Sequence, residues 1–304
     1  MRGTISTGNA IALFCVVVLA WGTNWPVTKL VVEVVPPLWT TALRCWIAFT
    51  ALLVFLLLSS KLVVPRRGDL PVVLSVALLH MVCFSTLVAT GLKFIPASKA
   101  IVLGYTTPIW VAIGAPLLLG ERTSIGQIAG MAMGLLGLGL ILNPYALDWA
   151  DSDVVLGCGL IVLASLFWSA SIIYVRSHRW IATPFQLLLW QVLVAAIVLT
   201  ATATAVEGWL NIVWSRRLVV LLLYGGLVGT ALAYWAMSMV NKSLPALTTS
   251  LGIMATPLVG IASATIALGE TVDLWLVASA ALVIAGIACS TLADARLQRR
   301  KETN

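Results

Sequence analysis

The sequence has few charged residues: only 10% of its 304 positions are Asp, Glu, Lys or Arg, while 61% are hydrophobic. Soluble domains carry charge at roughly a quarter of their positions. The chain therefore lacks the charged side chains that would cover a water-facing surface, which excludes an ordinary soluble domain. The composition predicts a membrane protein, with the lipid bilayer as its main solvent.

Acidic residues are absent from the middle of every apolar segment. A carboxylate near the membrane midplane is a common carrier of a proton or Na⁺. The chain therefore lacks the usual means of coupling to an ion gradient. All the acidic residues lie at segment ends or in connectors: Glu33, Asp69, Glu121, Asp148, Asp151, Asp153, Glu207, Glu270, Asp273, Asp294 and Glu302.

Motifs of known enzyme chemistry are also missing. The sequence contains no HExxH, GxSxG or Walker A motif and no pair of intramembrane aspartates, so hydrolysis in the bilayer would lack a nucleophile and a base. The five cysteines lie in apolar runs without CxxC spacing, which favours buried free thiols. We expect a protein that is not an enzyme, without metal or cofactor. The net charge of +7 comes from basic residues in short connectors, so it predicts topology and no nucleic-acid partner.

Apolar segments fill the chain and are separated by short connectors with Pro, Gly, Asn or charge. About 20 apolar residues make one helical span, which predicts an all-α membrane protein with ten transmembrane helices. The segments are Ala10–Val32, Leu38–Leu58, Leu70–Thr90, Ala97–Leu119, Ile125–Leu142, Val154–Val175, Phe185–Ala205, Leu218–Val240, Ala246–Leu268 and Leu274–Leu292.

Lysine and arginine are unequally divided between the two sets of connectors. The positive-inside rule places the richer set in the cytoplasm, which predicts that both termini are cytoplasmic and that the first apolar segment is a retained helix. The richer set is Arg2, Lys61, Arg66, Arg67, Arg122, Arg176, Arg179, Lys242, Arg296, Arg299, Arg300 and Lys301. The poorer set is Lys29, Lys93, Lys99, Arg216 and Arg217.

The two halves of the chain repeat each other weakly. Since each half has an odd number of helices, the second half must enter the membrane in the opposite orientation, as in the inverted repeats of many secondary transporters. We expect the first repeat at residues 1–147 and the second at 148–304. At an offset of 147, Trp21 matches Trp168 and Pro37 matches Pro184; at 149, Lys93 matches Lys242, Pro96 matches Pro245, Pro108 matches Pro257, and Gly120-Glu121 matches Gly269-Glu270.

These features together resemble a known family. Two five-helix halves, the early motif W-G-x-N-W at Trp21–Trp25 and a Gly-Glu pair closing the fourth helix of each half are similar to the drug/metabolite transporter superfamily, EamA type. The resemblance covers about residues 10–292. It implies a bacterial inner-membrane carrier working by alternating access, most similar to exporters of amino acids, including aromatic ones.

The stretch WGTNWPVTK is unusually polar for a membrane helix. Pro26 removes one helical hydrogen bond, and an Asn24 side chain facing lipid would be costly. One interpretation is a bent helix that exposes Trp21 and Asn24 to a substrate path; the other is that Asn24 bonds a neighbouring helix. Pro108 and Pro257 break later helices in the same way, so the three prolines are predicted hinges.

Further candidates for a substrate-binding cavity lie on other segments. An aromatic pocket with polar handles suits a large apolar substrate, although anchoring at the membrane interface explains aromatic residues equally well. His80 binds substrate or a proton, or packs as a structural group. Lys99 is placed to meet a carboxylate at the outer mouth. With Trp21 and Asn24, the predicted substrate-binding residues are His80, Lys99, Tyr105, Trp168, Tyr234, Trp235 and Met254.

Two other polar or small-residue features have open interpretations. Arg44 is costly inside a membrane, so it needs either a carboxylate substrate or a structural partner; its repeat counterpart is Gln191. Gly126, Gly130 and Gly134 allow close helix packing, with Ala278, Ala281 and Ala285 of the tenth helix as the predicted counterpart, in the same chain or in a second protomer.

The sequence thus predicts a secondary transporter of amino acids or similar small metabolites, monomeric or weakly dimeric, with facilitated export favoured over ion-coupled transport. Export of drugs or nucleosides, a channel, and an intramembrane enzyme are the alternatives.

Overall fold

A computed structural model describes residues 6–120, 124–142, 148, 150–244, 248–249 and 252–303. Throughout these residues the regular structure is helical, without strands. Eight helices are long and apolar enough to cross a membrane, and two further apolar helices, Ile125–Ile141 and Ala255–Leu268, are shorter. The all-α membrane architecture agrees with the prediction.

The helices are labelled in chain order. Two of them contain a stretch of π-helix, and one is interrupted by a turn. They are α1 (Thr7–Val32), α2 (Pro37–Leu58), α3 (Arg67–Gly91), α4 (Ala97–Gly104 and Thr107–Leu119), α5 (Ile125–Ile141), α6 (Ser152–Ser177), α7 (Pro184–Val206), α8 (Arg216–Leu223, Tyr224–Leu232 and Ala233–Ser243, continuous), α9 (Ala255–Leu268) and α10 (Leu274–Thr303).

Local sequence signals set several of these boundaries. Pro37 and Pro184 stand at the first position of α2 and α7, where a missing N–H costs nothing. Gly120 and Gly269 end α4 and α9 with φ of 66° and 68°. This left-handed conformation suits glycine. Both pairs of boundaries fall at positions that the sequence repeat had matched.

The π-helical stretches of α3 and α8 are also related by the repeat. They run Val76–Phe84 and Tyr224–Leu232, at an offset of 148 residues. A π-helix is wider than an α-helix and occurs frequently at functional sites. The Thr230 hydroxyl donates to the Gly225 carbonyl, five residues earlier, at 2.9 Å. The sequence analysis missed both stretches.

Two of the predicted hinge prolines follow breaks in their helices. The turn at Tyr105 and Thr106 divides α4, and Pro108 is the second residue of the new helical segment. Pro257 lies in the first turn of α9, after a turn at Ile253 and Met254. Pro26 instead lies within an unbroken α1. A moving hinge at any of the three stays a prediction.

The most extensive helix contacts join the two halves of the chain. α5 packs on α10, and α2 packs on α7. α1 contacts α8 and α9, while its counterpart α6 contacts α3 and α4. Exchanging the two halves maps this set of contacts onto itself. The core therefore forms mainly between the repeats.

The contact between α5 and α10 uses Gly126 and Gly130 of the predicted glycines and also Gly137, which was not predicted. A Cβ at Gly134 would meet Ile109 of α4. A Cβ added at Gly130 would lie 2.5 Å from the Gly286 carbonyl, and one at Gly137 would lie 2.9 Å from the Ser279 carbonyl.

A contact of Ala278, Ala281 and Ala285 with a second protomer stays a prediction. Within the chain these alanines do not form the contact with α5, because the contact residues on α10 are Ser279, Val283, Gly286 and Ser290. They lie on a different face of the helix from Ala281 and Ala285, which are exposed.

Three carboxylates each cap the start of a helix in the half of the chain opposite to their own. Glu270 accepts hydrogen bonds from the N–H groups that begin α4, Glu207 from those that begin α2, and Asp69 from those just before α7. Glu270 therefore caps a helix of the opposite repeat. Its repeat counterpart Glu121, and Pro245, lie outside the described residues.

Candidate functional site

A cavity of about 580 Å³ lies between the two halves. Helices α1, α3, α4, α6 and α8 line it as expected. α2 and α7 also line it through Arg44 and Gln191, whereas no described residue of α9 reaches it. The reason is packing: α9 lies behind α1, where a Cβ at Gly22 would lie 2.7 Å from the Val259 side chain.

The cavity reaches the membrane face where α6 ends and α7 begins. Arg176, Trp180 and Pro184 line it there, together with Asn241 near the end of α8. The distribution of basic residues predicts that this face is cytoplasmic.

An aromatic box occupies the middle of the cavity and consists of Trp21, His80, Phe84, Tyr105, Trp168 and Tyr234. Trp168 is central: its ring stacks on His80 with centroids 5.2 Å apart and 8° between the planes. Phe84 lies 4.8 Å from Trp168, and Tyr105 meets it edge-on at 6.4 Å. Such faces suit a flat apolar group.

The opposite wall of the box comes from α1 and α8. Trp21 packs edge-on against Tyr234 at 5.6 Å. The Tyr234 hydroxyl lies 3.3 Å from Nε2 of His80, within hydrogen-bonding distance. This contact joins the two walls, since His80 belongs to the π-helical stretch of α3.

A polar wall lies beside the aromatic box. Asn24 of α1 and Arg44 of α2 line the cavity here, next to Gly225 and Gly229 of α8. The Thr28 hydroxyl donates to the Asn24 carbonyl at 2.7 Å, within the same helix. The polar stretch WGTNWPVTK thus faces both the cavity and a neighbouring helix.

Six of the nine predicted substrate-binding residues line the cavity together: Trp21, Asn24, His80, Tyr105, Trp168 and Tyr234. The other three lie elsewhere. Lys99 is 3.8 Å from the Asp273 carboxylate, where α4 and α10 begin. Trp235 packs against Phe55 at 6.4 Å, and Met254 is buried in a cluster that includes Ile101.

Sequence reasoning did not identify several lining residues, among them Phe84 and Ser171. The usable signal for Phe84 was its spacing, because it lies four residues after His80 and so shares a helix face with it. Ser171, which lies at the repeat offset of 147 from Asn24, lines the cavity from α6.

A family model of known proteins matches this chain over residues 8–143 and 155–292, one match in each half. It describes the EamA-like transporter family. The chain belongs to the EamA-like transporter family. This multi-pass membrane protein is therefore a transporter of the drug/metabolite type, as the sequence motifs had suggested, and the family points away from an enzyme.

Two relatives match most of the chain at low sequence identity, and a third matches a shorter part at higher identity. An uncharacterized transporter of Bacillus subtilis, YoaV, is 24% identical over 92% of this chain and 96% of the relative. A probable amino-acid metabolite efflux pump of Salmonella typhimurium is 27% identical over 90% of this chain and 92% of its own. A riboflavin transporter of Rhizobium johnstonii is 34% identical, but over only 33% of this chain and 32% of its own.

A solved structure described as "Crystal structure of protein" has the same fold. Its TM-score is 0.66 at 22% sequence identity, and the match covers 96% of this chain and 99% of the other.

Proposed function

We propose that this protein carries amino acids with aromatic or large apolar side chains, or similar small metabolites, across the bacterial inner membrane. The aromatic box in a cavity between the two halves is the observation that carries the proposal. A flat side chain would lie against Trp168 and Trp21, and its polar end would face Asn24 and Arg44. The family relationship to an amino-acid metabolite efflux pump supports export as the direction.

The proposed mechanism is alternating access by two inverted five-helix repeats. The exchange symmetry of the helix contacts supports this arrangement, because each main contact has a counterpart with the halves reversed. Ten crossings with both termini in the cytoplasm are part of the proposal. The shorter α5 and α9 would then also cross the membrane.

In this mechanism the structure corresponds to a state open to the cytoplasm. One of the three carboxylate caps between the halves, Asp69 on the N–H groups before α7, lies beside the cytoplasmic mouth. The other two lie at the opposite face: Glu270 accepts from the start of α4 at 2.7 and 2.8 Å, and Glu207 accepts from the start of α2 at 3.0 and 3.1 Å. Opening outward would break these bonds. The breaks before Pro108 and Pro257 are where α4 and α9 would bend.

Transport would be facilitated, driven by the substrate's own gradient. Among the described residues, no Asp or Glu side chain lines the cavity, so a carboxylate that could exchange a proton or Na⁺ with the substrate is missing there.

Uptake into liposomes tests the proposal. The purified protein would be reconstituted with a panel of radiolabelled amino acids, and saturable, trans-stimulated uptake of tryptophan or phenylalanine is expected. Because Trp168 contacts three other rings of the box, Trp168→Ala should raise KM about ten-fold, which corresponds to about 1.4 kcal/mol of binding free energy and is within the range of one aromatic pair contact.

Trp209→Ala is the matched control, since Trp209 is 84% exposed in the connector between α7 and α8. Uptake without saturation would indicate a channel. The absence of amino-acid uptake would overturn the substrate assignment and favour drugs, nucleosides or other metabolites.

A further inference from the structure

Arg44 is a cation in the cavity wall that forms no ion pair with any described residue. Its Nε is buried and makes no hydrogen bond to any other described residue. The ion pairs within the described ranges, Lys99 with Asp273 and His178 with Asp69, do not involve it. A guanidinium inside a membrane costs roughly 2.5–3.5 kcal/mol by insertion scales, so an unbonded one calls for an external partner.

Lys29 shows how this fold satisfies a structural cation. Its Nζ donates to the carbonyls of Leu92 and Ile95 at 2.8 and 2.9 Å, at the end of α3. Lys29 therefore has an internal role, and it does not line the cavity. Arg44 has no equivalent bonds among the described residues and does line the cavity, which separates it from a purely structural role.

A second unbonded polar atom lies beside Arg44. Oδ1 of Asn24 is buried and lacks a hydrogen-bond partner in the described part of the chain. A buried polar atom without a partner costs about 1–3 kcal/mol, so it indicates a ligand that is bound in another state. Arg44 supplies donors and Asn24 supplies an acceptor, which together form a complementary pair.

Gly225 of α8 lies against both Arg44 and Asn24, and Gly229 of α8 lies against Asn24. A Cβ built on Gly225 would lie 3.6 Å from both Cδ of Arg44 and Oδ1 of Asn24. At Gly229 the added Cβ would lie 2.5 Å from the same oxygen. A larger residue at Gly229 would crowd the Asn24 side chain, whereas the distances at Gly225 are ordinary van der Waals contacts. The place of the Asn24 amide beside Arg44 therefore depends on the missing side chain at Gly229.

The two repeats differ at the position of Arg44. Gln191 occupies the position of Arg44 in the second half, is 4% exposed and also lines the cavity. The cavity therefore has a guanidinium at one of the two repeat-related positions and a neutral amide at the other. The other arginine of the cavity, Arg176, lies at the cytoplasmic mouth.

We propose that Arg44 is the carboxylate-binding residue of the transporter. The guanidinium donates to the substrate's carboxylate, and Oδ1 of Asn24 accepts a hydrogen bond from a donor next to it, such as an α-ammonium group. The rest of the substrate lies in the aromatic box. This assignment rests on the proposed function, in that a small molecule must enter the cavity, and it adds that a carboxylate is required for recognition.

Analogues of one amino acid test the carboxylate requirement on the wild-type protein. Binding to the purified transporter would be followed by the rise in its Tm with L-tryptophan, indole-3-propionate, L-tryptophanamide and tryptamine. The first two keep the carboxylate and should stabilise the protein. The amide and the amine should bind about ten-fold more weakly or worse, because a charge-assisted hydrogen bond is lost. Equal stabilisation by all four, or by none, would overturn the proposal.

Variants then assign the requirement to Arg44. Arg44→Gln should weaken L-tryptophan binding about ten-fold or more and remove the preference over L-tryptophanamide, whereas Arg44→Lys should keep part of that preference because it keeps the charge. Arg217→Gln removes an exposed arginine at the start of α8 and is the matched control. A preference for the carboxylate that persists in a folded Arg44→Gln would place the anion site elsewhere.

Uptake separates this proposal from the proposed function. If liposomes take up L-tryptophan and L-tryptophanamide equally, the transporter assignment holds and the role of Arg44 is wrong. If L-tryptophan binds through Arg44 but does not cross the membrane, the binding site holds and the transport of aromatic amino acids is wrong.

Discussion

At the scale of single residues, glycine decides the shape of the polar wall. Gly225 and Gly229 face Asn24 and Arg44 from the π-helical stretch of α8. A methyl group at Gly229 would meet the Asn24 side chain well inside van der Waals contact. The amide would have to turn away from its place in the cavity.

Gly229→Ala should therefore lower uptake about five-fold or more, which corresponds to the lower end of the 1–3 kcal/mol cost of overpacking. The measurement is initial uptake in liposomes, with protein folding checked by Tm. Gly159→Ala is the control, because an added Cβ there meets nothing within 4 Å. Normal uptake by Gly229→Ala would show that the position of Asn24 does not matter.

At the scale of helices, the contact between α5 and α10 is made backbone to backbone. Gly130 and Gly286 approach so closely that a Cβ on either would lie 2.5 Å from the carbonyl of the other. The Ser279 hydroxyl also donates to the Gly137 carbonyl across this contact, at 2.7 Å. α5 is short for a span. Its contact with α10 is more extensive than its contacts with any other described helix.

Gly130→Ala should separate these helices and lower Tm, with a loss of about 1–3 kcal/mol from overpacking. Thermal unfolding in detergent measures the effect. Gly139→Ala lies in the same helix, where an added Cβ meets nothing within 4 Å, so it should leave Tm unchanged or raise it slightly through better helix propensity. Equal Tm values for both variants would contradict this packing.

At the scale of the whole molecule, the orientation in the membrane remains a prediction from the basic connectors. If both termini are cytoplasmic, green fluorescent protein fused after residue 304 should fluoresce, and alkaline phosphatase at the same point should be inactive. Fusions truncated after Asp148, in the predicted outer connector, should behave in the opposite way. Active phosphatase at the C-terminus would reverse the topology and make the cavity face the outside.

Composition and spacing were enough to predict the architecture. A chain with so little charge must be solvated by lipid, and backbone groups in lipid must pair within a helix, so helical spans follow directly. Pairs such as Pro37 and Pro184, or Gly120 and Gly269, predicted a repeat because helix ends need those residues. Aromatic and polar residues in apolar runs, such as Trp168 and Asn24, predicted much of the cavity wall.

The tertiary structure alone decided which candidates share the cavity. Lys99, Trp235 and Met254 have the same chemistry as residues that line it, but the rotation and packing of their helices turn them to Asp273, Phe55 and a buried cluster. The π-helical stretches left no readable pattern, because they change the register of α3 and α8 by less than one turn. Whether Arg44 has a bonded partner also depends on distances between helices, and these are set by contacts from both halves of the chain.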